Sequence, residues 1–239
     1  MAKNSRVAID VGGTFTDVVT LNGADGSVKF DKVPTTPSNP QEGVLNGFAA
    51  SGVGLDAVSH FIHGTTLGLN ALLTRRGAKT GIVTTEGFRD VYLLGRTDRA
   101  PMYDWKYRKP KSLVERQHIL EVPERLDFEG KVVTPFDENA ARNVAKKFVE
   151  LGVDSVAIVF LHSYVNPAHE QKMAAVMREV APNIEVTVSS NLSRELREYE
   201  RTSTAVLDAY IKPLVRKYIG KLQDILSERG FKGLFLMTR

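Results

Sequence analysis

The chain has 239 residues, of which 42% are hydrophobic and 25% charged, and its formal net charge is +4. These values are typical of a globular protein with a substantial core, and the charge excess is too small to indicate nucleic acid as a partner. The absence of cysteine excludes disulfides, thiolate metal sites and a cysteine nucleophile. No apolar run approaches membrane-spanning length, and we expect a cytoplasmic protein.

The first 50 residues predict an antiparallel meander followed by a helix. Apolar runs over residues 6–11, 15–21 and 27–33 are separated by short turns rich in Gly, Asn and Asp, as is typical of strands joined by hairpins. Pro40 is suited to the first position of a helix, which we expect to run to Gly52.

From residue 60 onward, strands and helices are predicted to alternate. Asp137 is suited to cap an amphipathic helix that ends at Gly152, and the apolar run 155–161 is typical of a strand buried on both faces. Further strands are expected over 60–63, 79–85, 184–188 and 234–237, and helices over 67–76, 167–180 and 199–229. In the last helix we expect one apolar stripe, made of Leu207, Ile211, Leu214, Tyr218, Leu222 and Ile225.

The turn between the first two strands is the strongest candidate for a ligand site. It holds two aspartates, two glycines and two threonines, namely Asp10, Gly12, Gly13, Thr14, Thr16 and Asp17. Glycines let the backbone approach a phosphate closely, N–H and hydroxyl groups donate to it, and Asp10 is suited to hold Mg²⁺ through water. An ordinary hairpin turn is the weaker interpretation. Asp17 either assists the metal or caps the turn.

A second candidate is the segment His63-Gly64-Thr65-Thr66, where a predicted buried strand gives way to a helix. Free N–H groups and two hydroxyls at such a place bind anions well. The alternative is a structural cap formed by the threonines, with His63 as a hydrogen-bonded structural residue.

The one irregular segment, 95–112, interleaves basic residues with Tyr103, Trp105 and Tyr107. This composition suits a platform for single-stranded nucleic acid, a loop that docks a partner subunit, or a substrate lid. We favour the docking loop and expect no nucleic acid. Arg96, near the start of the segment, is a candidate for contact with phosphate or substrate.

Two other charged pairs are interpreted as structural. Arg89 and Asp90 are expected to pair and orient a loop, with contact between Arg89 and an anion as the alternative. Glu198 and Arg201 of the last helix are interpreted as hinge and packing residues, because Ala205 and Ala209 permit close packing there. A pair between Glu198 and Arg201, three residues apart on the helix surface, is the alternative. The sequence contains no Walker loop and no His-Glu-x-x-His motif.

Taken in order, eight segments resemble the hydantoinase A/5-oxoprolinase family of the actin/sugar-kinase-type superfamily. The matching segments are 10–17, 61–66, 70–73, 77–80, 84–91, 124–127, 134–135 and 198–205. The resemblance covers essentially the whole chain, and several motifs in order are more specific than any one of them.

The resemblance implies an α/β fold: one actin/sugar-kinase-like (ribonuclease H-like) half with an N-terminal antiparallel meander and a mixed sheet flanked by helices. It implies an N-terminal domain over 1–190 and the start of a catalytic domain over 191–239. Members are usually several hundred residues longer, and the family's second Asp-x-Gly-Gly-Thr motif falls beyond residue 239. We therefore expect a chain that is truncated relative to the family.

The resemblance also implies an enzyme that uses ATP and Mg²⁺ to phosphorylate the carbonyl oxygen of a cyclic amide such as a hydantoin, oxoproline or a lactam. A subunit of a ketone carboxylase and a non-catalytic assembly module are the alternatives. A hydantoinase B-type partner in a hetero-oligomer is expected. The implied catalytic residues are Asp10, which also binds the metal, His63 and Arg96. The implied cofactor-binding residues are Gly12, Gly13, Thr14, Thr16, Asp17, Gly64, Thr65 and Thr66.

Overall fold

Strands and helices alternate through the computed structural model, which describes residues 5–36, 39–96 and 103–238. In chain order the elements are β1 (Ser5–Val11), β2 (Phe15–Leu21), β3 (Val28–Pro34), α1 (Pro40–Ser51), β4 (Val58–Thr65), α2 (Leu67–Leu73), β5 (Thr80–Thr85), α3 (Val91–Leu94), β6 (Ile119–Val122), β7 (Arg125–Leu126), β8 (Val132–Thr134), α4 (Glu138–Leu151), β9 (Ser155–Val159), α5 (Ala168–Val180), β10 (Glu185–Val188), α6 (Ser189–Leu192), α7 (Glu198–Glu228) and β11 (Leu234–Met237). They form two compact units, Met1–Thr74 with Leu214–Arg239, and Arg75–Pro213.

The first unit is built on a five-stranded mixed sheet with the order β11-β4-β1-β2-β3. The β1-β2-β3 meander is antiparallel, whereas β4 lies parallel to β1 and β11 parallel to β4. Strand β1 alternates, and its buried side chains Val7, Ile9 and Val11 share one face of the sheet. Phe48 of α1 and Leu222 of α7 belong to the same core.

The second unit contains a parallel sheet with the order β10-β9-β5-β6 and a separate hairpin of β7 and β8. All five residues of β9 are buried, as expected for a parallel strand covered on both faces. Phe148 of α4 and Met173 of α5 pack in one core, and Ala205 and Ala209 of α7 pack in the other.

The α/β fold with an N-terminal meander and sheets flanked by helices is confirmed. Helix α4 has the predicted ends, since Asp137 Oδ1 accepts a hydrogen bond from the Ala140 N–H at 2.9 Å and Gly152 adopts a φ of 60°. Three expectations were wrong in detail. Helix α2 ends at Leu73, β9 ends at Val159, and Leu207 is 41% exposed and so lies off the buried face of α7.

Several elements escaped the sequence analysis: α3, α6, β6 and the β7-β8 hairpin. In its described residues, 95–96 and 103–112, the irregular segment contains no helix or strand. Its residues 97–102 lie outside the described ranges. The domains 1–190 and 191–239 stay a prediction; the compact units divide instead after Thr74 and after Pro213. Of the helices in the described ranges, none combines the length and apolarity needed to cross a membrane.

Candidate phosphate-binding site

The predicted site forms in the first unit, where three parallel strands end at the same edge of the sheet. In the strand register Asp10 of β1 lies opposite Gly64 of β4, and Asp17 of β2 lies opposite Asp10. Thr238 directly follows β11, and its N–H donates to the His63 carbonyl at 2.9 Å. Parallel pairing therefore assembles these groups from three distant parts of the chain.

Gly64 leaves the space that the Asp10 carboxylate occupies. A methyl group on Gly64 would lie 2.7 Å from Asp10 Oδ1 and 3.2 Å from Thr238 Oγ1. The first distance is shorter than any real contact of a side-chain carbon, so a larger residue would displace the carboxylate. Among the described residues, none donates a hydrogen bond to the Asp10 side chain, which is exposed.

The turn after β1 offers backbone donors beside this carboxylate. Gly12 holds the turn closed, because its N–H donates to the Phe15 carbonyl at 3.1 Å and a methyl group there would lie 2.9 Å from the same oxygen. Gly13 and Thr14 are exposed, and within the described ranges no group accepts a hydrogen bond from their N–H groups. These two N–H groups are thus available to an anion.

Thr16 and Asp17 point to opposite faces of β2. The Thr16 side chain is fully buried and lies 3.0 Å from the Thr35 hydroxyl, so the structure does not bring it to the side of Asp10. Asp17 lies on the Asp10 side and pairs with Lys32 at 3.0 Å. That pair is exposed and hence weak, and Asp17 remains accessible to a ligand.

His63 lies beneath the site, in the core. It is fully buried, its Nδ1 is 3.1 Å from the Ile9 carbonyl, and its Nε2 is 2.7 Å from the Tyr218 hydroxyl. A carbonyl can only accept, so Nδ1 carries the proton and Nε2 accepts from Tyr218. Burial lowers the pKa of His63 and raises that of Tyr218. A neutral, enclosed imidazole with both nitrogens engaged has the surroundings of a structural residue, and the catalytic role expected for His63 stays a prediction.

Thr65 and Thr66 organise the entry to α2. Thr65 Oγ1 accepts from the Leu67 N–H at 3.2 Å, and Thr66 Oγ1 accepts from the Asn70 amide at 3.2 Å. The Thr65 bond satisfies one backbone N–H of the first turn, as in the structural alternative, whereas the Thr66 hydroxyl caps no backbone N–H of the helix.

Arg96 belongs to the second unit, so the structure gives no support for grouping it with Asp10. Its Nε donates to Glu200 Oε1 at 2.6 Å. The expected pairing of Arg89 with Asp90 is also wrong, because both Asp90 oxygens accept from Arg116, at 2.8 and 3.0 Å.

A buried polar network at the end of β9 was missed by the sequence analysis. Arg201 is 1% exposed, donates to the Phe160 carbonyl at 2.8 Å and also bonds the Ser163 hydroxyl. Glu170 is fully buried and accepts from the Phe160 N–H at 3.0 Å and the Ser189 hydroxyl at 2.6 Å. Arg201 therefore points into the core, as the packing role predicted for this part of the helix requires, and the alternative of a surface pair with Glu198 is wrong.

The donor set fits a magnesium ion held mainly by non-protein oxygens. Within residues 5–36, 39–96 and 103–238, no three His, Asp or Glu side chains are grouped closely enough to hold a metal ion by themselves. Mg²⁺ commonly uses one or two carboxylates together with water and phosphate oxygens. Asp10 and Asp17, opposite each other across β1 and β2, supply carboxylates of that kind.

The model of the hydantoinase/oxoprolinase N-terminal region matches residues 6–181. The chain belongs to this family. An uncharacterised protein of Methanocaldococcus jannaschii is 40% identical over 242 residues, which cover 100% of this chain and 36% of that protein. The acetophenone carboxylase gamma subunit of Aromatoleum aromaticum is 38% identical over 255 residues, which cover 98% of this chain and 34% of the subunit.

A solved structure has the same fold over nearly the whole of this chain. The crystal structure of ATP-dependent caprolactamase from Pseudomonas jessenii matches with a TM-score of 0.88 at 33% identity, over 97% of this chain and 35% of that one. The chain thus spans about a third of the length of the relatives it matches.

Proposed function

We propose that the chain is the N-terminal, phosphate-binding part of an ATP-dependent enzyme that hydrolyses cyclic amides of the hydantoin, oxoproline or lactam type. The observation that supports this most is the exposed Asp10 carboxylate at the end of β1, followed directly by a turn in which the N–H groups of Gly13 and Thr14 have no partner among the described residues. A carboxylate beside free backbone donors suits a metal-bound phosphate chain. Membership of the family, and similarity to an enzyme described as ATP-dependent, direct the proposal to ATP.

Phosphorylation addresses the chemical difficulty of the reaction. An unstrained cyclic amide is a poor electrophile, and transfer of the γ-phosphoryl group of ATP to its carbonyl oxygen, with release of ADP, would make the ring carbon more electrophilic. Water would then add to that carbon, the ring C–N bond would break with a proton going to the nitrogen, and hydrolysis of the remaining acyl phosphate would give the carboxylate and phosphate. In such transfers, positioning and charge neutralisation supply most of the catalysis. Gly13 and Thr14 would orient phosphate oxygens, and Asp10 would hold water of the magnesium shell. The magnesium ion would neutralise charge that develops on the phosphate oxygens.

A ketone carboxylase subunit is the second candidate. It is supported by the similarity to the acetophenone carboxylase gamma subunit over nearly the whole chain. Carbonyl activation by ATP serves both reactions, so the phosphate site alone does not separate them. In either case we propose a hetero-oligomer in which a second, hydantoinase B-type subunit completes the reaction. A non-catalytic assembly role is the remaining alternative.

Turnover of ATP by the enzyme assembled from the full-length polypeptide and its partner subunit tests the proposal. We expect hydrolysis of ATP to be stimulated by one class of cyclic amide, and stimulation by a ketone with bicarbonate instead would favour the carboxylase. In the same assembly, Asp10→Asn should reduce turnover by about 100-fold or more, because the metal-bound phosphate loses its carboxylate. Asp224→Asn, on the exposed side of α7, is the matched control.

Two results would contradict the proposal. One is an assembled enzyme that neither binds nor hydrolyses ATP with any cyclic amide or ketone. The other is a folded Asp10→Asn variant with the turnover of the Asp224→Asn control, which would remove Asp10 from the site.

A further inference from the structure

One face of the sheet in the first unit carries an apolar row that is exposed at both ends and partly exposed between them. The strand register aligns one side chain from each strand in a row across this face, which we call the open face: Phe30, Val19, Ala8, Ile62 and Leu236. Phe30 is 75% exposed and Leu236 is 40% exposed, at opposite edges of the sheet. The other face carries the core formed with α1 and α7.

The rows on either side of this apolar row differ in character. Toward the start of β1, the register gives the row Val28, Leu21, Arg6, His60 and Leu234, in which the two outer residues are each 53% exposed. Toward the end of β1 lies the polar row that contains Asp17 and Asp10, beside Gly64. The apolar surface is thus continuous across five strands and borders the proposed phosphate site.

Exposure of this kind is unusual for the strands involved. Strands β1, β4 and β11 run parallel, and parallel sheets are normally covered on both faces. A contiguous apolar patch with a polar rim is typical of a surface that another polypeptide segment covers. Scattered single apolar residues would need no such explanation, but these lie in register across neighbouring strands.

We infer that the open face is the docking surface for polypeptide that follows residue 239 in the full-length protein, and that this segment packs as an amphipathic helical layer. The chain spans only 36% and 34% of the two relatives described above, so about two thirds of their length has no counterpart here. Strand β11 forms an edge of the open face, so polypeptide continuing from it reaches this surface without crossing the sheet. The inference does not rest on the proposed reaction.

The composition of the face specifies the chemistry of its occupant. Apolar side chains of a helix would cover the apolar row that contains Val19, Ala8 and Ile62. The small side chain of Ala8 admits close approach. Arg6 is exposed and has no ion pair among the described residues. A carboxylate on the covering layer would pair with it. The polar row with Asp10 would stay at the border of the layer, accessible to ligand.

Cysteine labelling tests the inference directly, because the natural sequence contains no cysteine. Phe30→Cys and Leu236→Cys place single thiols on the open face. Ser227→Cys, at an exposed position of α7, is the control. Maleimide labelling rates would be measured in the 239-residue chain and in the product of the natural gene read beyond residue 239. We expect similar rates at all three sites in the short chain. In the longer protein, the two open-face thiols should react at least about tenfold more slowly, with the control unchanged.

Any of four outcomes would overturn the inference. Equal labelling in both proteins would show that the face stays open. Protection of the short chain that increases with its concentration would assign the face to a second copy. Protection that appears only when a separate subunit is added, or a natural gene that stops at residue 239, would likewise exclude the proposed occupant. Circular dichroism of each variant in the short chain checks that the substitutions leave the fold intact.

Discussion

Gly64 shows how the absence of a side chain positions a functional group. The Asp10 carboxylate occupies the space above the Gly64 backbone, with the Thr238 hydroxyl beside it. A glycine here is required by close approach and not by a special backbone conformation. The sequence marked Gly64 as a phosphate contact, whereas the geometry gives it the role of making room for Asp10.

Gly64→Ala should therefore impair ligand binding with little effect on folding of the rest of the unit. The added methyl group would move the Asp10 carboxylate, and we expect ATP affinity of the assembled enzyme to fall about tenfold or more, as for loss of a well-placed charged contact. Isothermal titration calorimetry measures this. Gly220→Ala, in α7 with open space around it, is the control and should bind ATP normally. Equal affinities of the two variants would contradict the role given to Gly64.

His63 predicts a pH dependence of stability. Burial, the dominant cause, lowers its pKa in the folded protein below the ordinary value of about 6.5. Below that pH the unfolded chain binds a proton that the folded chain does not, so the free energy of unfolding should fall as the pH decreases from about 6.5. The stabilising contribution is complete above this pH.

Urea unfolding at pH about 7.5 and 5.5 tests this prediction through a difference between proteins. His63→Gln should lose less stability than the unsubstituted chain over this interval, because its side chain does not titrate. If both proteins lose the same amount, His63 does not titrate differently in the two states.

At the scale of elements, the Arg201 network fixes the end of β9 to α5, α6 and α7. The guanidinium bonds the carbonyl of Phe160 and the carboxylate of Glu170 bonds the N–H of the same residue, so both backbone groups beyond the strand are satisfied. Such a network positions a strand end only if all its members are present.

Arg201→Met should lower the free energy of unfolding by about 3–5 kcal/mol, because it leaves the buried Glu170 carboxylate without its positive neighbour. Denaturant unfolding measures the loss, with Arg178→Met on the exposed side of α5 as the control. Adding Glu170→Gln to Arg201→Met should cost less than the two single effects combined, since the uncompensated charge is gone. Additive losses would show that the two side chains act independently.

The elements that the sequence predicted well are those with a clear period or cap. Strands β1 and β2 alternate between buried and exposed residues, and α4 has both a capping aspartate and a terminal glycine. Strand β6 and the β7-β8 hairpin are too short to show a period. In helix α7 the packing of Ala205 and Ala209 was predicted, but Leu207 was assigned to the buried stripe and is exposed, because burial there is shared between small and large side chains.

The site was predictable only in part for a related reason. Asp10 and the glycines after it are close together in the sequence, so the sequence alone predicts their chemistry. The proximity of Thr238 and the burial of His63 depend on strand pairing and on Tyr218, which lies 155 residues from His63 in the chain. No local pattern encodes such distant contacts.

At the scale of the whole molecule, the chain holds one wall of a proposed ATP site and about a third of the length of its relatives. The 239-residue chain should bind ATP weakly in the presence of Mg²⁺, through Asp10 and the turn after it, and should not hydrolyse it. Calorimetry with Mg-ATP and a phosphate-release assay measure the two properties. Tight binding with turnover by this chain alone would show that it already contains the complete site.

The pairing of β11 with β4 has a consequence for the order of folding. Strand β4 ends at Thr65 and its neighbour begins at Leu234, so the whole second unit is synthesised between them. During translation the β1-β2-β3 meander emerges first, but β11, the last parallel strand of the same sheet, is synthesised only near the end of this chain. Closing so long a loop is slow, whereas the second unit can fold from one contiguous segment of the chain. The turn between β1 and β2 is therefore made first and acquires its finished surroundings last.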